Sequence, residues 1–268
     1  MEPRIFEAYM KALRVESFLA LLLIAVGCGS SAEEASHATE GETPAIQPNI
    51  LSKEERANGW RLLFDGETTR GWRGYNRETF PDTGWAVVDG MLVVGATATD
   101  PDVAVGGDLV TEEAFSSFDL RFEFKLSEVA NSGVLYRVIE ELGAEIWHNA
   151  PEFQVLDDQA YVDMGTMDMR THLTGDNYDL HAATGERSLR PLGDWNEGRI
   201  IVDGVHVEHW LNGYKMVEYE LGSPGWEALV AKSKFAEFPG YGRALSGPIG
   251  LQDHGRLVWY RNIKIRIL

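Results

Sequence analysis

Three short stretches carry side chains able to move protons. "PEFQVLDD" (151–158) puts Glu152, Gln154 and Leu156 on one face of an extended chain, and Phe153 and Val155 on the other. If Phe153 and Val155 fill a core, Glu152 and Gln154 point to the opposite face, which in a curved sandwich can be a groove. A carboxylate there suits a general base or acid, and an amide suits orienting a sugar hydroxyl. The ordinary fate of a strand Glu is a solvated outer face. "GPIGLQDHG" (247–255) ends an apolar strand in Gln252, Asp253 and His254. Imidazole titrates near neutrality, and an Asp beside it suits acid–base chemistry or metal ligation, against the plain reading of a strand end. "NSGVLYR" is a turn, Asn131-Ser132-Gly133, entering a strand on which Arg137 has the parity of Leu135 and Ile139. An Arg among apolar residues needs an anionic or carbonyl partner, either a ligand or a structural group such as Glu123 or Glu152.

Other polar residues carry less. His209 shares parity with Val205, Val207 and Leu211, the pattern of a hydrogen-bonded core imidazole, while Glu208 and Trp210 take the other face. Trp210 can stack on a sugar ring, although packing is the commoner use. Arg261 has the parity of Ile263 and Ile265 and reads as a buried structural Arg needing a carboxylate. His172 and Asp179–His181 sit in a long loop. No HExxH or close His-x-His supports a dedicated metal site.

The elements that must hold these residues are mostly strands. "SFDLRFEFKL" alternates strictly, with Phe118, Leu120, Phe122, Phe124 and Leu126 opposite Asp119, Arg121, Glu123 and Lys125. "WAVVDGMLVV" is a hairpin around Asp89-Gly90. "RIIVDGVHVEHWLNGYKMVEYEL" holds three strands, turning at Asp203-Gly204 and Asn212-Gly213. "GVLYRVI", "EFQVL" and "LVWYRNIKIRIL" are further strands, and "SKEERANGW" is one helical turn capped by Ser52 and Glu55. There is no βαβ rhythm and no phosphate-cradling glycine loop. Short strands with frequent turns predict an all-β sandwich or barrel. Residues 157–195 and 222–246 are long and irregular, and Trp195, Trp226, Phe235, Phe238 and Tyr241 within them predict ordered loops over a site.

Composition bounds the partners. The chain has 268 residues, is 44% hydrophobic and carries a formal net charge of -18. That acidity repels nucleic acid and anionic headgroups and leaves small neutral or cationic ligands open. The single cysteine, Cys28, excludes an internal disulfide. It follows a basic start (Lys11, Arg14), an apolar run from Phe18 to Val26 too short to span a bilayer, and Gly27. Ala25-Val26-Gly27-Cys28 looks like a bacterial lipobox, so the expectation is a lipoprotein signal over 1–27, lipidation of Cys28, a flexible tether over 28–51 and a globular domain over 52–268. The protein would then be exported and held at the cell envelope by its lipid alone.

These stretches, in order from "GWRLLFDGETTRGW" through "GDLVTEEAFSSFDLRFEFKL", "NSGVLYR", "EFQVLDD", "GDWNEGRIIVDG" and "HWLNG" to "GPIGLQDHG" and "RNIKI", resemble the 3-keto-disaccharide hydrolase domain family over residues 56–268. The resemblance implies a concanavalin-like β-sandwich, or jelly roll, and cleavage of glycosides oxidised to a ketone at C3. It implies Asn131, Arg137, Glu152, Gln154, Gln252, Asp253 and His254 around the pocket, with Glu152 or His254 as base and Arg137 polarising the carbonyl or enolate oxygen. A divalent cation held by Glu152, Asp253 and His254 is the alternative electrophile. The stretch "AYVDMGTMDMRTHLTGDNYDLHAATGERSLRP" is longer than the family pattern and reshapes the substrate site. Two other functions compete. A non-catalytic sugar-binding module would expose Trp195, Trp210 or Tyr241 as a substrate-binding platform. A conventional glucanase needs a second carboxylate where Gln154 stands.

Overall fold

The structure is a computed structural model that describes residues 47–268, apart from 101, 142, 143, 166, 167 and 186. The expected signal, Cys28 and most of the tether lie outside the described residues. The packed unit starts before Ser52, because the side chain and backbone of Asn49 exchange hydrogen bonds with Asn262. The strands are β1 (Arg61–Leu62), β2 (Trp72–Gly74), β3 (Trp85–Val88), β4 (Met91–Val94), β5 (Leu109–Thr111), β6 (Phe118–Leu126), β7 (Asn131–Leu135), β8 (Glu152–Leu156), β9 (Asn196–Asp203), β10 (His206–Leu211), β11 (Tyr214–Glu220), β12 (Gly250–Leu251) and β13 (Val258–Ile267). Among the described residues three short α-helices accompany them: α1 (Lys53–Ala57), α2 (Asp158–Met164) and α3 (Pro224–Val230).

The strands form two antiparallel sheets, the expected concanavalin-like sandwich. The larger runs β11-β10-β9-β6-β13-β4-β3, with β1 added to β13; the smaller runs β2-β5-β12-β7-β8. Alternation decides which side chains fill the space between them. Phe118, Leu120, Phe122, Phe124 and Leu126 of β6 face Val134, Phe153, Val155 and Leu251 of the small sheet. The Phe122 and Phe153 rings meet edge to face at 5.4 Å, and each such buried ring contributes roughly 1.5–3 kcal/mol. Gly198 lies directly opposite Phe122, and any side chain there would strike the Phe122 ring.

Turn chemistry sets the register. Asp89 and Gly90 both have positive φ, as do Asn212 and Gly213, which is what tight two-residue hairpins demand. The Ser52 capping box of α1 forms as expected. Arg261 falls on the other face from that expected. Asn262, at φ 52°, makes a bulge in β13, so Arg261 pairs with Glu123 on the outer face while Ile263 and Ile265 return to the core. His209 is the fully buried core imidazole anticipated, between the Tyr136 hydroxyl and the Gly175 carbonyl. Burial pushes its pKa down to about 3, so it stays neutral.

Candidate active site

The outer face of the small sheet gathers the groups that lack compensation. On β8, Phe153 and Val155 enter the core, so Glu152 and Gln154 turn outward. Gly133 of β7 stands opposite Gln154, and a Cβ there would fall 1.9 Å from Glu152 Oε1. Only glycine leaves room for the carboxylate to lie across the strand. Gln252 follows β12 and donates its backbone N–H to the Gly133 carbonyl, which brings it beside the same strand.

Glu152 is 3% exposed, and among the described residues no donor reaches its carboxylate. Burial therefore dominates and lifts its pKa to about 8; the Lys234 ammonium opposes the rise and the Asp108 carboxylate adds to it. Asp108 stands one residue before β5, with the parity of Val110. Its carboxyl is pushed up to about 7 by desolvation, against the hydrogen bond from the Asp253 N–H, with the charges of Asp253 and Glu145 adding to the rise. Two carboxyls poised near neutrality in one slot are an acid–base arrangement.

Lys234 is the cation of the slot. The turn Lys234–Glu237, capped by Ser233, delivers it from the 222–246 segment. Its ammonium stands 4.1 Å from the Trp147 ring centre and 4.3 Å from that of Tyr178, and among the described residues it makes no hydrogen bond or ion pair. Desolvation lowers its pKa, while Glu152 and Asp179 pull it back. His254 is exposed at the rim. Its imidazole pKa is lowered by the surrounding protein, with Asp253 raising it and Lys234 lowering it further, so it is neutral at pH 7. Trp147, His148 and Phe238 form an aromatic rim, the last two stacked at 4.0 Å. Asn131 Oδ1 is buried without a partner, an open acceptor at the start of β7.

Several expected site residues are elsewhere or otherwise occupied. β7 ends at Leu135, and Arg137, at φ 53°, leaves the strand parity. Its guanidinium donates from Nε and Nη2 to the carbonyls of Ser116 and Gly204, so it ties two loops together where a strand parity with Leu135 was expected. Trp195 stacks under Arg261 at 3.9 Å on the outer face of the large sheet, on the far side of the core from Glu152. Asp253 accepts from the N–H groups of Gly106, Gly107 and Gly255, which makes it the staple of the loop before β5. The ligand atoms of Glu152, Asp253 and His254 do not all lie within 4.8 Å of one another, so these three do not form the expected preassembled cation site. Among the described residues the one convergent His/carboxylate group is His206, Glu208 and Glu218, on β10 and β11. Tyr241 and Trp226 are 1% exposed and belong to the core stack, so Tyr241 offers no platform.

Lys234 and Asp108 were missed. Lys234 lies in a segment without periodicity and carries no signal. Asp108 does: like Gln252 it is a polar residue at the end of an apolar strand, with the parity of an outward position.

The model of the 3-keto-alpha-glucoside-1,2-lyase-like domain matches residues 59–266. The chain is 32% identical over 261 residues to a 3-keto-disaccharide hydrolase of Bacteroides thetaiotaomicron, covering 89% of this chain and 88% of that one. Two crystal structures from Parabacteroides distasonis ATCC 8503, both provisionally named glycosyl hydrolases, are similar. One is 33% identical with a TM-score of 0.74 over 83% of this chain and 100% of its own. The other is 29% identical with a TM-score of 0.58, over 79% and 100%.

Proposed function

Since the chain belongs to the 3-keto-alpha-glucoside-1,2-lyase-like domain family, we propose that it is a carbohydrate hydrolase that cleaves 3-keto-glycosides by elimination and hydration, with Glu152 as base and Lys234 as the cation at the developing enolate. The observation that carries this reading is the Glu152 carboxyl, buried over Gly133, held up to about 8 and set beside an ammonium that is in no ion pair among the described residues.

A ketone at C3 acidifies the C2 hydrogen. Ionised Glu152 takes that proton, and the electron pair moves onto the C3 oxygen. Lys234 faces the oxyanion, where a fixed charge in a water-poor slot lowers the barrier most. As the C3 carbonyl re-forms, the C1–O bond breaks and the departing oxygen takes a proton from solvent water. Water then adds to C1 of the enone, neutral His254 takes its proton and releases it to solvent, and the Glu152 acid returns the proton to C2. One water is consumed, and a 3-keto sugar and an alcohol are released. The raised pKa makes Glu152 a stronger base than a solvated carboxylate.

The test is release of aglycone from a 3-keto-glucoside and from its unoxidised parent, with and without chelator. The keto form alone should react, and kcat/KM should rise with pH to a plateau above about 8. A rise centred below 6.5 makes His254 the base of the first step. Binding of either sugar without release leaves a lectin-like module. We also propose that the chain is exported and lipidated at Cys28; Cys28→Ser should move it from the membrane fraction to the soluble one.

A further inference from the structure

The outer face of the large sheet holds a second unbalanced spot. Antiparallel register places Trp210, Arg199, Arg121 and Lys264 in one row across β10, β9, β6 and β13, each directly opposite the next. Three neighbouring cations repel, and like charges at such positions destabilise a sheet. Two of them are compensated. Arg199 forms a bidentate pair with Asp119, at 2.7 and 2.9 Å, and Lys264 is bonded to Glu55. Arg121 is not: among the described residues it makes no hydrogen bond or ion pair, and its Nε is buried without an acceptor. Its guanidinium lies over the Trp60 ring at 4.9 Å, which supports the flat side of the fork and leaves its N–H edge unpaired.

That guanidinium lines a cleft of about 220 Å³ with Arg199, Trp210, Glu197 and Gly213. The volume lies below the range of about 300–1,000 Å³ typical for drug-sized ligands, and suits a single sugar ring. Trp210 supplies an apolar wall, fixed by its indole N–H donating to Glu208. We infer that this cleft binds an acidic sugar, a pyranose bearing a carboxylate or sulfate, with the oxyanion on Arg121 and the ring against Trp210. A guanidinium fork matches a planar oxyanion, and an aromatic wall matches a sugar ring. Long polyanions do not fit: Glu197 and Glu123 flank the cationic row on one side and Glu208 on the other, and the chain as a whole carries -18. The site lies across the core from Glu152 and is independent of the reaction assigned there.

The experiment is calorimetric titration of the full chain with methyl glucuronide, a methyl glucoside sulfate, neutral methyl glucoside and inorganic sulfate, at low and physiological salt. Binding of one or both acidic sugars, at least tenfold tighter than the neutral glucoside and than sulfate alone, is expected, and the pair tells carboxylate from sulfate. Arg121→Gln should weaken this binding at least tenfold and leave turnover at Glu152 unchanged. Without ligand the same variant should melt at the same or a higher temperature, because a repulsion is removed. Glu197→Gln should tighten binding severalfold. Equal binding of the neutral glucoside or of bare sulfate, unaltered affinity in Arg121→Gln, or a drop in its melting temperature would overturn the assignment. The last result would make Arg121 a structural support stacked on Trp60.

Discussion

The two outer faces of the sandwich treat charge in opposite ways. On the large sheet, ionised groups are mostly matched: Asp119 holds Arg199 and Arg266, Glu123 holds Arg261, Glu208 and Glu218 hold Lys215, and Glu55 holds Lys264. On the small sheet, Glu152 and Asp108 are desolvated without a matching salt bridge among the described residues, and Lys234 is held by rings. The first arrangement costs little and does little. The second costs folding energy, and in return gives groups whose protons are loosely held near neutral pH. Where a fold tolerates uncompensated charge under cover, chemistry is the economical reason to look for.

The largest effect should come from the costly face. Glu152→Gln should lower kcat/KM on a 3-keto-glucoside by about 10²–10⁴-fold, measured at pH 8. The same variant should gain stability relative to the wild type as pH rises. The folded pKa of Glu152, about 8, lies above its unfolded value near 4.5, so the wild type loses stability between those values and the neutral amide does not. Thermal melts should therefore put the variant above the wild type at pH 9, and bring the two together near pH 4. On the matched face the sign reverses. Asp119→Asn, which strands two guanidinium groups around a residue 1% exposed, should cost about 3 kcal/mol in urea unfolding and leave turnover untouched. Lys234→Met should reduce kcat/KM by about 10–100-fold and move the pH rise upward, because removing a neighbouring cation raises the carboxyl further. The smallest effect is reserved for Trp195→Phe, within about twofold in kcat/KM, since that ring stacks on Arg261 across the core from the slot. A large loss there would merge the two faces into one site.

The long strands were legible because alternation reports a half-buried face: β6, β8, β9 and β10 fall where their sequences put them. β1, β2, β5 and β12 have two or three residues each, too few for a period to show. Glu152 and Gln154 were legible for the same reason, as the odd members of an otherwise apolar strand. Arg137 misled because parity holds only while the strand continues, and here it stops two residues earlier. Asn262 misled in the same way, since a bulge resets which residue faces in. Trp195 misled because a loop can lie on either side of a sandwich. Lys234 could not be read at all: only the stacking of Phe235, Tyr241 and Trp226 under its segment sets where it lands.

The reciprocal clasp of Asn49 and Asn262 has a mechanical meaning. It fastens Asn49 at the bulge of β13, a central strand with β6 on one side and β4 on the other, and Asn49 Nδ2 reaches on to the Gly90 carbonyl in the β3–β4 hairpin. A pull on the chain ahead of residue 47 therefore meets the middle of the larger sheet before it meets β1. The load is shared across several hydrogen bonds at once, so tension there is resisted as in a lap joint and does not peel the sandwich open from its rim. The slot around Glu152 lies on the other sheet, out of the line of force.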